Sequence, residues 1–262
     1  MSSQRAARAG ERLARVASVM NDGGRAAGRG GLGAVLGSKR LKAVAVRGEG
    51  RVPPADPAEF TRVRNAIREK IEKSGMNRGS LRRYGTAGIL SLINESRLLP
   101  TRNFQETRFD RAEALSGERM AEAILHRVTA CYSCSVACGR ETGAGGVKGH
   151  GPEYETLWAF GPACGVADLT AVARANYLCN ELGLDTISTG STIACAMELS
   201  SRGFIREDIR FGDGEAIVNL ARLMGYREGI GEALSEGSLR FARAAGHPEL
   251  SMSVKGLELP GY

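Results

Sequence analysis

Three cysteines stand within eight residues, Cys131-Tyr-Ser-Cys134-Ser-Val-Ala-Cys138. No other feature constrains the fold as tightly, because this spacing can draw the thiols onto one face of a compact loop. Thiolate is the soft ligand that iron–sulfur clusters and zinc select. The order is C-x2-C-x3-C, the reverse of the radical-SAM order, which disfavours that class. A cluster held by protein alone wants four thiolates. Cys164, Cys179 and Cys195 are options for the fourth, as is a residue outside this chain. Zinc would take His150 as a fourth ligand. Buried free cysteines are the bland alternative. The N-terminus has neither an apolar core nor a convincing cleavage site, so a cytoplasmic location is expected. Reduced thiols then favour a metal site over a disulfide framework.

Composition removes several other classes. Of 262 residues, 42% are hydrophobic and 25% charged, with a mean hydropathy of −0.20. These values exclude a disordered tail, a collagen-like fibre and a membrane protein. Aromatics at 5% supply a nucleic-acid stacking platform poorly, so neither nucleic acid nor membrane is an expected partner. The net charge of +7 is spread out. It reads as a solvated surface, or as steering of an acidic partner.

Residues 13–20 and 41–47 read as strands. Between them, residues 21–39 hold seven glycines. Asp56-Pro57-Ala58-Glu59 is a helix start, with Phe60, Val63, Ile67 and Ile71 following at helical spacing. Further helices are predicted at 86–95, 117–128, 152–161, 168–182, 186–202, 214–224 and 228–245. Asp168 and Asp185 are placed as N-caps and Gly183 as a stop. The expected class is therefore mainly α, a short β piece leading into a larger helical domain. Two strands make no stable sheet alone. The sequence also stops at VKGLELPGY, which reads as the middle of a protein. Both features suggest part of something longer.

Gly28-Arg29-Gly30-Gly31-Leu32-Gly33 matches a dinucleotide fingerprint literally, but no crossover helix fits before the next strand. The segment reads instead as a loop of backbone N–H groups with Arg25 and Arg29, suited to a phosphate-bearing anion or needed only for tight packing. In Gly151-Pro-Glu153-Tyr-Glu155-Thr, carboxylates at i and i+2 do not share a helix face. Both could favour a helix dipole, or a buried one could serve as general base. Polar residues from Asn180 to Ser188 gather at a helix–helix junction, as caps or as ligand contacts.

Together these segments resemble the tungsten-containing aldehyde:ferredoxin oxidoreductases. The resemblance runs in order through the stretch from Met20 to Lys39, Lys42-Ala-Val-Ala-Val, the cysteine cluster, Gly151-Pro-Glu-Tyr-Glu-Thr, Leu182-Gly-Leu-Asp-Thr-Ile-Ser-Thr-Gly and Leu257-Glu-Leu-Pro-Gly-Tyr. It implies residues 1–48 as the end of a β domain carrying the pterin loop. Residues 49–262 would be helical, with the cluster cysteines and the first pterin motif. It also implies a tungsten or molybdenum bis-pyranopterin and a 4Fe–4S cluster held by Cys131, Cys134 and Cys138. Arg25 and Ala26 would contact pterin and phosphate. Asn180, Leu184 and Asp185 would form the pterin motif, and Glu155 would be a base near the metal. An aldehyde would become a carboxylic acid, with electrons leaving to ferredoxin. Asn180 replaces the motif's usual Asp. Arg174-Ala-Asn-Tyr177 replaces an ExxH signature tied to an interface metal, which puts that metal in doubt; a homodimer stays open. The rival readings are a related reductase subunit, acting for example on an aromatic thioester, and a non-catalytic zinc or iron–sulfur module.

Overall fold

A computed structural model describes residues 2–22, 24–50 and 52–262. The first sheet has four antiparallel strands: β1 (Ser2–Ala6), β2 (Val19–Asn21), β3 (Arg25–Ala27) and β4 (Ala43–Val46), in spatial order β3-β2-β1-β4. Two strands were expected here. The additional central strand, β1, is the polar stretch SSQRA, which carries no apolar alternation to betray it. It pairs on both sides, Arg5 with Met20 and with Ala43. The expected strand at 13–20 shrinks to β2, because α1 (Arg8–Glu11) and a turn occupy the residues before it.

The glycine-rich segment departs from the expected loop. It contains β3 and a helix, α2 (Leu32–Ser38). Its glycines serve close approach. A Cβ on Gly37 would lie 1.9 Å from the Gly10 carbonyl oxygen, and one on Gly33 would lie 2.5 Å from that of Ser18. Gly37 lets α2 lie directly on α1, and Gly33, one turn earlier, lets it come down on Ala17 and Ser18. The sheet is antiparallel throughout its described pairings, so a dinucleotide fold remains excluded. Gly23, part of the motif, lies outside the described residues.

α3 (Pro57–Lys73) starts as expected, Asp56 accepting from the backbone N–H groups of Ala58 and Glu59 at 2.9 Å. None of its residues is buried. Next come α4 (Arg82–Tyr84), α5 (Leu90–Glu95) and α6 (Gly117–Ala123). The helix expected to reach 128 ends at Ala123. Its C-terminal part is β5 (Leu125–Thr129), which pairs with β6 (Gly139–Ala144), and β6 pairs with β7 (Val147–His150). Cross-strand pairing outweighs helix propensity there. The cysteine cluster is the loop between β5 and β6.

The core lies in the helices that follow: α7 (Tyr154–Phe160), α8 (Leu169–Leu182), α9 (Thr186–Ser201) and α10 (Gly214–Tyr226). Leu157, Trp158 and Phe160 of α7 meet Ile193, Met197 and Leu199 of α9 in one apolar cluster. The crossing is close at Gly190, where a Cβ would come within 2.7 Å of Ala159. The single helix expected at 228–245 is two, α11 (Ile230–Leu234) and α12 (Ser238–Ala244), broken at Gly237 with φ 89°. A small hairpin, β8 (Ser253–Val254) and β9 (Leu257–Glu258), follows. The chain is thus mainly helical with a short N-terminal sheet. Among the described residues no helix is long and apolar enough to cross a membrane.

Candidate functional site

The junction between α8 and α9 is fixed by local chemistry. Gly183, at φ 74°, ends α8 in the left-handed conformation, and the amides of Gly183 and Leu184 both donate to the Cys179 carbonyl. The chain at 16–18 clamps the turn. Ser18 N–H donates to Gly183 O at 2.8 Å, and Asp185 N–H donates to Val16 O at 2.9 Å. Leu184 is buried, and its neighbour Asp185 caps α9 by accepting from Ser188 N–H at 2.8 Å.

This clamp brings the sheet and the junction together around a cavity of about 260 Å³. Arg25 and Ala26 of β3 line it from one side, and Asn180, Leu184 and Asp185 from the other. A second cavity of about 460 Å³ lies on the far side of Asp185, bounded by Gly28, Gly30, Gly31, Arg240 and Lys255. Arg29 stands beside Asp185, its Nε 3.6 Å from the carboxylate. Burial pushes the Asp185 carboxyl up, against the Ser188 bonds and Arg29, which pull it down. A Cβ on Gly28 would lie 2.7 Å from Asp185 Oδ1, so the glycine is what admits this approach.

The two carboxylates of the GPEYET segment occupy different environments. Glu153 lines the first cavity, accepting from Arg25 at 3.2 Å and from the Thr86 hydroxyl at 2.6 Å. Glu155 is half-buried and is not among the residues lining either cavity. Both its oxygens accept from Gly261 N–H, at 3.0 and 3.2 Å. Burial raises its pKa; the Gly261 bond and Arg29 oppose the rise, and Asp185 adds to it.

In the β5–β6 loop, Cys131 and Cys134 are exposed and Cys138 is half-buried. Ser133 and Ala137 adopt left-handed conformations, φ 55° and 56°. The backbone amides of Ala137 and Val136, and then Arg25, favour the Cys134 thiolate. Cys138 moves the other way, through burial first and then Glu153. The expected convergence of the three thiols is not met. Among the described residues no three His, Cys, Asp or Glu side chains form a metal-holding group. Cys138 is tucked under Arg25 and Glu153 while the other two face solvent. His150 does not join them: it packs on Gly24 and lines the first cavity, so a zinc site completed by His150 is not formed. Cys164, Cys179 and Cys195 are core residues whose thiols burial pushes up.

Arg140 escaped the sequence reading, although it is second after Cys138. It is buried, lines the first cavity, and donates to the carbonyls of Leu81 and Arg82 and of Gly139 beside the cysteine loop. Its Nε is buried and makes no hydrogen bond among the described residues; nor does that of Arg29, which has only its ion pair with Asp185. At the replaced ExxH positions, Arg174 pairs with Glu215, and the Tyr177 hydroxyl bonds Thr142 at 2.7 Å.

Profiles of two domain families match the chain in order. Residues 3–48 match the N-terminal domain of aldehyde ferredoxin oxidoreductase, and residues 62–262 match its domains 2 and 3. The chain belongs to the aldehyde ferredoxin oxidoreductase family. It is 48% identical to the tungsten-containing aldehyde ferredoxin oxidoreductases of Thermococcus kodakarensis and Pyrococcus furiosus, over 97% of its own length and 43% of theirs. It is 34% identical to the WOR-like subunit of a P. furiosus aliphatic sulfonate oxidoreductase, covering 41% of that protein. Among solved structures it resembles a chain of the BamBC active-site complex of benzoyl coenzyme A reductase. The TM-score is 0.79 at 25% identity, over 98% of this chain and 42% of that one.

The family's cofactor can be tested against the residues present. Two buried arginine nitrogens make no hydrogen bond among the described residues, glycines admit a close approach at Asp185, and both cavities carry cations beside carboxylates, Glu153 and Asp185 in the first and Asp185, Glu236 and Glu258 in the second. This donor set suits an anionic, heteroatom-rich ligand such as a pyranopterin. The thiol loop carries the three cysteines at C-x2-C-x3-C spacing, but in this structure their side chains are not gathered into a metal-holding group.

Proposed function

We propose that this chain supplies the pterin-facing wall and three cluster thiols of a tungsten enzyme that oxidises aldehydes to carboxylic acids and passes the electrons to ferredoxin. The observation that carries the reading is the first cavity. It joins Arg25 and Ala26 to Asn180, Leu184 and Asp185, far apart in sequence. Arg25 reaches from it to the cysteine loop: a Cβ on Gly139 would lie 3.0 Å from its Nη2. When bound, a tungsten (or molybdenum) bis-pyranopterin supplies the two-electron chemistry and a 4Fe–4S cluster the outlet.

The chain's own residues bind, orient and move protons. Arg25, Arg29 and Arg140 neutralise ligand charge. Asp185 and Asn180 accept or donate hydrogen bonds at the pterin edge. Cys131, Cys134 and Cys138, at C-x2-C-x3-C spacing, would be the cluster ligands once the loop draws together the thiols that stand apart here. Glu155, its pKa raised by burial, takes the proton of the water whose oxygen joins the aldehyde carbon. The net charge of +7 suits an acidic electron carrier. Residues 1–48 and 49–262 then divide into the edge of a β domain and a helical domain.

The test is expression with tungstate in a host that makes pyranopterin, followed by metal and pterin analysis. Arg25→Ala and Asp185→Ala should each cut pterin content several-fold. Cys134→Ser should cut iron while leaving pterin. Pterin content unchanged in both cavity variants would sink the reading. The fold likeness to the benzoyl coenzyme A reductase chain keeps a reductase acting on an aromatic thioester as the second reading. Dye reduction assayed with aldehydes and with aromatic dienoyl thioesters separates the two.

A further inference from the structure

Residues 258–262 form a strap across α7 and the glycine-rich segment. Arg29 Nη2 donates to the Glu258 carbonyl. Beyond it, Gly261 uses both its backbone groups on α7. Its N–H donates to both oxygens of Glu155, and its carbonyl accepts from the Tyr154 hydroxyl at 3.1 Å. The Tyr262 ring packs on Tyr154 at 5.2 Å between centroids. The strap lies flat on the Trp158 indole. A Cβ at Gly261 would sit 2.6 Å from its ring carbons, and the indole cannot retreat, because it is fully buried and its N–H donates to Pro100 O at 2.8 Å. Glycine is therefore the residue that lets a main-chain amide come down onto the carboxylate.

We propose that the Gly261 amide is a positioning group for Glu155, fixing its carboxylate in one orientation and keeping the ionised form available as a base. The assignment rests on the reading of Glu155 as the base. The other charged groups facing Glu155 are Arg29 from the glycine-rich segment and Asp185 from the α8–α9 junction. They act in opposite directions, and the amide adds to the pull of Arg29. Because the donor belongs to the backbone, side-chain comparison would not find it. The spacing of Tyr154, Glu155 and Trp158 lets one turn of α7 hold the strap's carbonyl, its amide and its underside.

The experiment is a carbon-13 NMR titration of glutamate and aspartate carboxyls in the full chain, with Glu155→Gln assigning the Glu155 signal and Asp185→Asn the Asp185 signal. Gly261→Ala pushes the strap off the indole. Tyr154→Phe removes the bond to the Gly261 carbonyl and adds no bulk. Gly261→Ala should raise the Glu155 midpoint by about one unit, as expected for losing a hydrogen bond to a charged group. Tyr154→Phe should raise it by less, with the Asp185 midpoint unmoved in either. Should Gly261→Ala fail to fold, Tyr154→Phe alone decides. A Glu155 midpoint unchanged in every folded variant overturns the proposal, as does an equal shift at Asp185, which would mark general loosening. The titration is independent of turnover. Aldehyde oxidation surviving Glu155→Gln would refute the base reading while leaving the amide's hold on the carboxylate as measured.

Discussion

Glu153 and Glu155 are two residues apart and chemically unlike. Glu153 is ion-paired to Arg25 at the cavity wall, while Glu155 lies off both cavity walls with its ionised form disfavoured by burial. A carboxyl whose folded pKa is raised holds a proton that the unfolded chain has already released. The folded state therefore loses stability as pH rises from the unfolded value through the folded one. Glu155→Gln removes that loss. Its thermal midpoint should match the unaltered protein near pH 4 and exceed it increasingly above the ordinary carboxylate range, levelling once the folded carboxyl has ionised. A variant less stable at pH 8 than the parent would contradict the assignment. The sequence exposed part of this. Spacing alone said that the two carboxylates have different jobs, but which of them is buried depends on Gly261, more than 100 residues away. Arg140 was hidden for a similar reason: its partners are carbonyls on a distant segment, which leave no mark on local pattern.

At the level of elements, legibility followed capping and periodicity. α3, α8 and α9 begin where Asp56, Asp168 and Asp185 predict, because a side-chain cap is a short-range signal. β1 and β5 were missed, since their strand character comes from pairing partners. α2 was missed because residues 21–39 were read as one loop, for an anion or for tight packing, whereas a helix within it packs Gly37 on α1 and Gly33 on Ala17 and Ser18. Gly37→Ala should accordingly cost about 1–3 kcal/mol in urea unfolding, the usual penalty of an overpacked contact. An unchanged midpoint would place the two helices further apart. α3 tests the opposite limit. Its apolar residues Phe60 and Ile67 are 56% and 52% exposed, and no residue of the helix is buried. Phe60→Ser with Ile67→Ser should leave the unfolding midpoint within about 0.5 kcal/mol of the parent and reduce self-association in sedimentation velocity. A large loss of stability would mean that the helix packs where the structure shows it bare.

Over the whole molecule, the glycine-rich segment and the α8–α9 junction were recognisable as separate motifs, but their meeting was not. It depends on the backbone clamp between residues 16–18 and 183–185, where both sides use only main-chain groups. That clamp is reinforced elsewhere. Arg15 N–H donates to Ser235 O at 2.9 Å, its guanidinium pairs with Glu236 at 2.8 Å, and Arg227 reaches the Leu13 carbonyl at 3.0 Å. The small sheet thus grips the helical body through several contacts that do not involve the peptide joining them, while the connecting stretch around Val52 and Asp56 is exposed. The joining peptide is mechanically redundant. A protease site engineered between residues 48 and 56 should yield, on cutting, two polypeptides that migrate separately in denaturant yet co-elute as one particle in buffer, with the first cavity intact. In that sense the molecule behaves as a hasp and its staple: the sheet could be supplied as an independent strip of chain and would still close over Asp185.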